Sequence, residues 1–356
     1  MRKTTIEEVA ALARVSIKTV SRVINDEPNV RESTRLKVVD AIERLGYRPD
    51  QSARRLAGAR SYLVGLLYDN PSASYVIDIQ TGALDRCRAE SYELLINPCN
   101  YKNPDLCAEI ENLVGHARLD GLILTPPLSD HQNLIAMLRE QEIPFVMVAP
   151  PDDSDAVRSV FTNDREASCE MTRYLLSLGH ERIGYILGHP DHGAVGTRYL
   201  GYRDALAHAG IRFQKGLMDQ GYNSFRSGED AARRLLGKKN RPTAILCGND
   251  EMAAGAMKVA HEMGLSIPED LSVAGFDDVP LAGQIWPSLT TIRQPIREMA
   301  ERAADLLLKQ IRGEAVSGLQ SIRSTLVIRD STGPAYGGLS VEHKRAGGQK
   351  EVTDAG

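Results

Sequence analysis

Residues 4–47 read TTIEEVAALARVSIKTVSRVINDEPNVRESTRLKVVDAIERLGY, and the spacing of their apolar residues predicts three short helices. The first begins at a capping box, because Thr5 is followed three residues later by Glu8. The second runs from about Ser16 to Asn25, and the third from about Glu32 to Leu45, just before Gly46. Two helices joined by so short a turn, with a third to close the core, predict a helix-turn-helix unit. The positions expected to face its core are Ile6, Val9, Ala10, Ala13, Val20, Val23, Ile24, Leu36, Val39 and Ile42.

The charge of the chain is unevenly divided. Residues 1–60 hold 13 Lys and Arg against 8 Asp and Glu, a net charge of +5, whereas residues 61–356 hold 30 against 39, a net charge of −9. A small basic unit on an acidic body suits a polyanionic partner, because cationic side chains neutralise phosphate charge. Composition by itself leaves the identity of that polyanion open.

The composition also argues against several classes of protein. The 356 residues contain no apolar run of the ~18 residues that a membrane helix needs. The start, MRKTTIEEVA, lacks the apolar segment of a signal peptide, so we expect a cytoplasmic protein with no membrane partner. The five cysteines are an odd, scattered set without a Cys-x-x-Cys pair, which predicts reduced structural thiols rather than disulfides or a zinc site.

A different pattern begins at Ser61. Continuous apolar runs alternate with helical patterns, which predicts parallel sheets covered by helices on both faces. Roughly 270 residues of this pattern are long for one doubly wound sheet, so we expect two lobes. The runs are LVGLL (63–67), YELLIN (92–97), GLILT (121–125), PFVMV (144–148), RIGYIL (182–187), TAILC (243–247) and LSVAGF (271–276). From Gly333 the chain is Gly-rich and polar, and we expect a disordered tail.

The second helix has an outward face that could contact a nucleic acid. Its outward positions near the amino end are Ile17, Lys18, Ser21 and Arg22. A recognition helix uses such positions to reach base edges, where Arg22 can donate two hydrogen bonds to guanine and Ile17 can contact a thymine methyl. Short polar residues suited to phosphate oxygens are Thr5, Ser16, Thr19 and Asn25. A solvated helix face is an alternative that the spacing alone leaves open.

Polar residues follow several apolar runs of the body. They are Asp69, Asp164, Asn249, Asp250, Asp277 and Asp278. Open parallel sheets bind ligands outside the carboxyl ends of their strands, and carboxylates and amides can pair with sugar hydroxyls. Asp or Asn at a strand end is also a common helix cap, so each residue taken singly stays open between the two roles.

Signatures of catalysis are missing from the sequence. It has no GxGxxG after a strand, no GxxxxGK[ST] phosphate loop, no HExxH and no GxSxG elbow. His189, Asp191 and His192 could ligate a metal, but their loop lacks the helical spacing that orients ligands. We therefore expect neither an enzyme nor a metal or other cofactor. Trp286, which precedes Pro287, is expected to pack rather than to stack on a ligand.

These motifs resemble one family. Residues 4–61 resemble the DNA-binding headpiece and hinge of the lactose-repressor/galactose-repressor family of bacterial transcription regulators, through Ile6-x-x-Val9-Ala10, VSIKTVSRVIN (15–25) and Gly46-Tyr47-x-Pro49. The body resembles the effector-binding core of that family through GHERIGYI (179–186), Arg198-x-x-Gly201, CGNDEMAAGAM (247–257), GFDD (275–278) and PSLTTIRQP (287–295). In one departure, Arg31 stands where the family usually has a serine that caps the third helix.

The resemblance implies an α/β fold in four parts. Residues 1–48 would form a three-helix, helix-turn-helix headpiece, and residues 49–60 a hinge helix or linker. Residues 61–332 would form a two-lobed, periplasmic-binding-protein-like core of parallel sheets, followed by a disordered tail at 333–356. In the hinge, Leu56 would be an apolar wedge in the DNA minor groove, with Ala53 and Ala57 small enough to let paired hinges approach.

The resemblance also implies a function. We expect a homodimeric repressor that binds a near-palindromic DNA operator under the control of a small molecule, expected to be a sugar, between the lobes. The implied effector contacts are Asp69, Tyr75, Arg198, Asn249 and Asp277, with Asn163, Asp164, His192 and Phe225 as further candidates. An exported sugar-binding protein of a transporter shares the two-lobed fold, but the basic head and the missing signal peptide argue against it. The effector, and whether it releases DNA or promotes DNA binding, stay open.

Overall fold

The computed structural model describes residues 4–24, 30–47, 60–150, 155–316 and 320–335. The chain divides between Tyr62 and Leu63 into a head and a larger body. The head contains helices α1 (Ile6–Ala13), α2 (Ile17–Ile24) and α3 (Glu32–Leu45). The predicted three-helix unit is therefore confirmed, and the ends of α2 and α3 lie within one residue of the expected ones.

Local sequence explains the ends of the head helices. Thr5 is the N-cap of α1, and its backbone N–H donates to the Glu8 carboxylate at 3.0 Å, as expected for a capping box. Gly46 follows α3 with a φ of +57°, a conformation that glycine adopts readily. Arg31 is the N-cap of α3 and gives it no side-chain hydrogen bond, because arginine lacks the short acceptor that capping needs.

The buried face of α3 differs from the predicted one. Leu36 and Val39 are 62% and 40% exposed, so the prediction that they face the core is wrong. Val38 and Ala41 are buried instead, in the cluster shared with α1 and α2. The sequence of α3 offers two apolar stripes that differ by one residue, or about 100° around the helix, and packing against α1 selects the second. The other expected core positions are buried or half-buried.

The first lobe of the body is built on a six-stranded parallel sheet. The strand order is β11-β5-β4-β3-β1-β2, in which β11 (Gln320–Ile322) comes from the end of the body. The elements in chain order are β1 (Leu63–Tyr68), α4 (Ala73–Ala89), β2 (Glu93–Pro98), α5 (Leu106–Ala117), β3 (Gly121–Leu124), α6 (Gln132–Glu140), β4 (Phe145–Val148) and β5 (Ser159–Thr162). Strands β3 and β4 are buried throughout, which explains their continuous apolar sequence.

The second lobe is built on a four-stranded parallel sheet with the order β7-β6-β8-β9. Its elements are α7 (Asp164–Ser177), β6 (Ile183–Leu187), α8 (Gly193–His208), β7 (Met218–Gln220), α9 (Phe225–Leu236), β8 (Ala244–Cys247), α10 (Asp250–Glu262), β9 (Ser272–Ala274) and α11 (Pro280–Gln284). An antiparallel pair, β10 (Thr291–Arg293) and β12 (Thr325–Val327), completes it. Strands β7, β10, β11 and β12 have three residues each, too few for an apolar run to reveal them.

The two lobes are joined by three crossings within the described residues: β5 to α7, β10 to α12 (Ile296–Arg312), and β11 to β12. Helix α12 returns to the first lobe and packs on α4, β3 and β4. Gly82 of α4 makes this packing possible, because a Cβ there would lie 2.2 Å from the carbonyl oxygen of Arg297. A hydrogen bond joins two of these crossings. The Ser324 backbone N–H, between β11 and β12, donates to Asn163 Oδ1, between β5 and α7, at 2.7 Å.

The end of the body extends further than predicted. Residues 333–335 are expected to belong to the tail, but the Gly333 carbonyl accepts a hydrogen bond from His180 Nε2 at 2.9 Å. The Ala335 backbone N–H donates to the Leu178 carbonyl at 2.8 Å, and the Ala335 side chain is buried. The predicted boundary at Gly333 is therefore too early, since backbone bonds to a distant segment leave no mark on composition. The rest of the predicted tail, residues 336–356, lies outside the described residues.

Three further observations concern the described part of the chain. None of its helices is both long and apolar enough to cross a membrane. Its five cysteines are free thiols, and burial raises the pKa of the Cys87 thiol to about 12. No group of three or more His, Cys, Asp or Glu side chains in these ranges is arranged to hold a metal ion.

Candidate ligand pocket and candidate nucleic-acid interface

The predicted base-contacting residues share one surface of α2. Ile17 and Lys18 are exposed in its first turn, and Ser21 and Arg22 follow one turn later with half-buried side chains. Residues four apart lie on the same face of a helix, so each of the first pair lies beside one of the second. This surface combines two cations, a hydroxyl and an apolar group, the donors and contacts that base edges accept.

Ser16 and Thr19 have a structural role besides their predicted phosphate contact. The Thr19 backbone N–H donates to Ser16 Oγ at 3.1 Å, and the two hydroxyl oxygens are 2.9 Å apart. Ser16 therefore caps the start of α2, while one hydroxyl hydrogen of the pair remains available for an outside acceptor such as a phosphate oxygen. Thr5 is exposed at the start of α1. Asn25 and the hinge residues Ala53, Leu56 and Ala57 lie outside the described residues.

A polar pocket lies between the two lobes of the body. The carboxyl ends of the central strands of both sheets face it, as expected for open parallel sheets. Its volume is about 50 Å³, so the lobes lie close together around it. It is lined by Asn70, Ser72, Tyr75, Pro126 and Ala149 of the first lobe, His192, Ala194, Val195, Arg198, Asn223, Asn249 and Asp277 of the second, and Gln294 on a crossing.

Arg198 is the central cation of the pocket. Its Nε donates to Asp164 Oδ1 at 3.2 Å, and its Nη1 donates to the Gly248 carbonyl at 2.9 Å. Nη1 also lies 3.7 Å from Asp277 Oδ1, and the guanidinium stacks 3.7 Å from the centre of the Phe276 ring. Burial disfavours the charge of Arg198, but the two carboxylates outweigh burial and raise its pKa. The guanidinium is thus held permanently charged with its plane fixed.

Asp277 is held in an unusual backbone conformation beside this cation. It follows β9 with a φ of +109°, and its backbone N–H donates to the Ile292 carbonyl at 2.9 Å. Burial raises the pKa of its carboxyl to about 7, although Arg198 acts in the opposite direction. The carboxyl of Asp277 is therefore poised to change its charge near neutral pH.

Asp250 supports the loop that carries Asp277. Its buried carboxyl accepts hydrogen bonds from the Thr291 hydroxyl at 2.6 Å and from the Val279 backbone N–H at 2.9 Å. Burial raises the pKa of Asp250 well above its ordinary value. Both bonds reach residues outside α10, so Asp250 fixes the loop after β9 and does not line the pocket.

Asn249 combines the two roles that the sequence left open. Its Oδ1 accepts from the Met252 backbone N–H at 3.0 Å and so caps α10, while its Nδ2 donates to the Asn223 carbonyl at 3.1 Å. His192 lies beside them, and burial, followed by the charge of the nearby His189, lowers the pKa of its imidazole to about 4. At neutral pH this part of the wall is therefore uncharged and rich in hydrogen-bonding groups.

Tyr75 faces these groups from the first lobe, where it is buried on α4. Burial, with a smaller effect of Asp277, raises the pKa of its phenol, which stays protonated and able to donate. Nearby, Ser72 Oγ is buried and has no hydrogen-bond partner within the described residues. A buried hydroxyl without a partner is costly, so this wall suits a polar ligand.

Four predicted effector contacts lie outside the pocket, and three of them are polar residues that bond to other parts of the chain. Asp69 accepts from the Tyr101 backbone N–H at 3.1 Å and so shapes the loop after β2. Asn163 is used in the bond to Ser324 at the lobe crossings. Asp164 contacts Arg198 and not the pocket itself. In each case the side chain meets a partner from a distant part of the chain, which strand-end position alone does not reveal.

Phe225 and Trp286 also differ from their predicted positions. Phe225 is expected to contact the effector, but it lines a separate groove on the second lobe together with Trp286. Trp286 is expected to pack, but its side chain is 89% exposed. The start of α9 points Phe225 away from the strand ends, and the turn before Pro287 projects the indole into solvent.

Four polar residues of the pocket are not among the predicted effector contacts: Asn70, Ser72, Asn223 and Gln294. Asn70 is next to Asp69, so the strand-end rule could have found it. Asn223 has a positive φ of +56° and its Oδ1 accepts from the His189 backbone N–H, a local turn role that polar composition signals only weakly. Gln294 lies on a lobe crossing, which only the tertiary structure reveals.

A helix-turn-helix head on the same chain as a two-lobed body with a polar pocket defines a class, the ligand-controlled transcription regulators. The model for bacterial regulatory proteins of the lacI family matches residues 5–50, and that for a periplasmic binding protein-like domain matches residues 172–332. The chain is 32% identical over 333 residues to the probable HTH-type transcriptional repressor ExuR of Bacillus subtilis (strain 168), covering 92% of this chain and 98% of that protein.

Two solved structures are similar over nearly the whole chain. The lac repressor dimer bound to operator and the anti-inducer ONPF has a TM-score of 0.73 and 29% identity, covering 93% of this chain and 100% of that one. The transcriptional regulator CelR–cellobiose complex has a TM-score of 0.71 and 29% identity, and the match covers 92% of this chain and 100% of that one. This chain belongs to the LacI family of bacterial regulatory proteins, as its motifs predicted, and is a DNA-binding transcription regulator rather than an enzyme.

Asp277→Asn should change how stability depends on pH. Because the folded-state pKa of Asp277 is raised from 3.8 to about 7, its contribution to stability is fully present below about pH 3.8 and is lost as pH rises from there to about 7. In urea unfolding, the variant should therefore gain stability relative to the wild type as pH rises from about 5 to about 7, with no further gain above that pH. A difference between the variant and the wild type that stays constant over this pH range would contradict the assigned pKa.

Proposed function

We propose that the chain is a homodimeric repressor in the cytoplasm, which binds a near-palindromic operator through two heads and responds to a sugar bound between its lobes. The observation that carries the sugar proposal is the composition of the pocket wall. A fixed guanidinium at Arg198, the carboxyl of Asp277, the amide of Asn223 and the orphan hydroxyl of Ser72 converge on one small space. Sugar hydroxyls both donate and accept, so they can satisfy this mixture, whereas an apolar ligand would leave the buried Ser72 hydroxyl unpaired.

The charge of the pocket favours the same ligand class. Arg198 is already matched by the carboxyls of Asp164 and Asp277, so no net positive charge awaits an anionic ligand. His192 is neutral near pH 7 because burial lowers the pKa of its imidazole to about 4. The solved CelR complex with cellobiose supports a carbohydrate effector in a related protein of the same two-lobed form.

The pocket is also connected to a segment that joins the lobes. The Gln294 backbone N–H donates to the Asp277 carbonyl at 3.2 Å, and Gln294 lies in the crossing between β10 and α12. A ligand that contacts both lobes can favour one lobe arrangement over another through its differential affinity. A typical coupling of about 1–3 kcal/mol changes operator occupancy roughly five- to a hundredfold.

A thermal-shift screen of the full-length chain against monosaccharides, oligosaccharides, purines and organic acids tests the ligand class. We expect a sugar to stabilise it, by about 2.7 kcal/mol at about a hundredfold excess over Kd. Asp277→Ala should abolish this shift and the effector response of operator binding, while operator affinity without ligand stays near normal. A response at unchanged sugar concentration in Asp277→Ala, or a shift with purines or acids alone, would contradict the proposal.

Arg198→Ala is a poorer test of the same pocket. Removing the Arg198 guanidinium leaves the carboxyls of Asp164 and Asp277 buried without their cation. Breaking a buried ion pair from one side costs roughly 3–5 kcal/mol. A loss of effector response in Arg198→Ala could therefore not be separated from a loss of folded protein.

Arg22→Ala tests the DNA-binding surface of α2. If Arg22 donates to a base, its removal should cost roughly 1–3 kcal/mol at one base pair and relax specificity there. Thr19→Ala should weaken binding to operator and to random DNA more evenly, because a phosphate contact carries no sequence information. Binding-site selection with each variant measures both effects. An unchanged sequence preference for Arg22→Ala would show that another surface of the head contacts the bases.

An apolar groove on the second lobe is our candidate for part of the dimer interface. It includes the exposed Trp286 with Phe225, Met257, Leu281 and Ile285. Aromatic and methionine side chains are enriched in protein interfaces, and exposed apolar clusters commonly mark contact sites. Two-fold symmetry of the protein would match two operator half-sites, which a single small head cannot contact together.

Trp286→Ala should weaken the dimer. Loss of a central aromatic contact typically costs at least about 2 kcal/mol, so we expect the dimer Kd to rise roughly thirtyfold or more. Sedimentation velocity over a concentration series measures it. Ile328→Ala, at another exposed apolar residue outside the groove, is the control and should leave the Kd unchanged. Equal dissociation constants for the wild type and Trp286→Ala would place the interface elsewhere.

A further inference from the structure

Two hydrogen bonds join the lobes beside the ligand pocket. Tyr101, in the loop after β2 of the first lobe, donates its phenol hydrogen to the carboxylate of Asp191, in the loop after β6 of the second. Asp130, in the loop after β3, accepts from the Gly193 backbone N–H at 2.7 Å. Both contacts cross from the first lobe to one short segment, residues 191–193, of the second.

The segment that receives both contacts leads directly into the pocket wall. Gly193 is the first residue of α8, and Ala194, Val195 and Arg198 of the same helix line the pocket. The carboxylate of Asp130 lies at the amino end of α8, where the helix dipole favours negative charge. A movement of the first lobe away from the second must therefore break a charge-assisted bond at the helix that carries the central cation of the pocket.

The loop before α8 is held in place for the contact with Tyr101. The Asp191 backbone N–H donates to His189 Nδ1 at 3.2 Å, and the His189 backbone N–H donates to Asn223 Oδ1 at 3.1 Å. The His189 ring packs edge-on against Tyr101, with 6.1 Å between ring centres, and against Tyr222 at 5.6 Å. Burial lowers the pKa of His189, so its imidazole stays neutral and Nδ1 stays an acceptor near pH 7. The carboxylate of Asp191 is thus positioned before Tyr101 meets it.

We propose that Tyr101, Asp130 and Asp191 form an interlobe clasp that holds the two lobes in a closed arrangement. The narrow pocket supports this assignment, since about 50 Å³ is far below the roughly 300 Å³ of small-molecule sites. A ligand of ordinary size enters only if the clasp opens, so the free energy of the clasp opposes entry and sets part of the apparent affinity. The clasp consists of contacts between protein groups alone and does not depend on the proposed effector class.

Hydrogen exchange of the Gly193 amide in the unliganded, full-length protein tests the clasp. Tyr101→Phe removes one hydroxyl and leaves the Asp130 bond to Gly193 untouched. If the two contacts act jointly, the Gly193 amide should still exchange faster in Tyr101→Phe, by roughly five- to tenfold, because the lobes open more often. Asp191→Asn keeps an acceptor but loses the charge that strengthens the bond, so it should produce a smaller increase. The double variant should exchange like Tyr101→Phe, since both changes act on the same contact.

Tyr222→Phe is the matched control. Its ring belongs to the same aromatic group around His189, but it lies on the second lobe and, among the described residues, forms no hydrogen bond with the first lobe. Exchange at Gly193 should therefore match the wild type. A second readout is the interlobe distance, measured by single-molecule fluorescence transfer between dyes introduced at Glu140 and Lys239. Wild-type exchange at Gly193 together with a wild-type distance in Tyr101→Phe and Asp191→Asn would overturn the proposal. Failure to find a sugar ligand would not affect this result.

Discussion

The buried guanidinium of Arg198 is the interaction on which the body of the protein depends. It joins the start of α7, through Asp164, to the turn after β8, through the Gly248 carbonyl, and to the loop after β9, through Asp277. A cation in this position is stable only while carboxylates accompany it, because removing charge from water is costly. The same requirement concentrates hydrogen-bonding groups at the carboxyl ends of the strands, where a polar ligand can meet them.

The lobes are connected in two ways: backbone crossings at which the body can bend, and hydrogen bonds that oppose the separation of the lobes. Three backbone crossings, tied by the bond between Asn163 and Ser324, define where the body can bend. On the far side of the pocket, the clasp of Tyr101, Asp130 and Asp191 limits how far it bends. The pocket lies between these features, so a ligand bound there acts on the lobe angle directly. This arrangement explains how one small molecule can influence the response of a whole regulator.

Much of the fold was predictable because local rules act along the chain. The capping box at Thr5 and Glu8, the glycine after α3 and the buried runs at β3 and β4 each follow from neighbouring residues. The face of α3 was not predictable, since two apolar stripes compete and α1 decides between them. Strands β7, β10, β11 and β12 were missed for a similar reason, because pairing with a distant partner, and not composition, makes them strands.

The sequence by itself determined the family, the helix-turn-helix head, the two-lobed parallel-sheet body and the central pocket residues Arg198, Asn249 and Asp277, because each is encoded in a continuous motif or at the end of an apolar run. Only the tertiary structure decided that Ser72 and Gln294 join them, while Asp69 and Phe225 do not. It also decided that Trp286 is exposed and that Tyr101 meets Asp191. These are relations between residues far apart in the chain, and their geometry arises when whole elements pack.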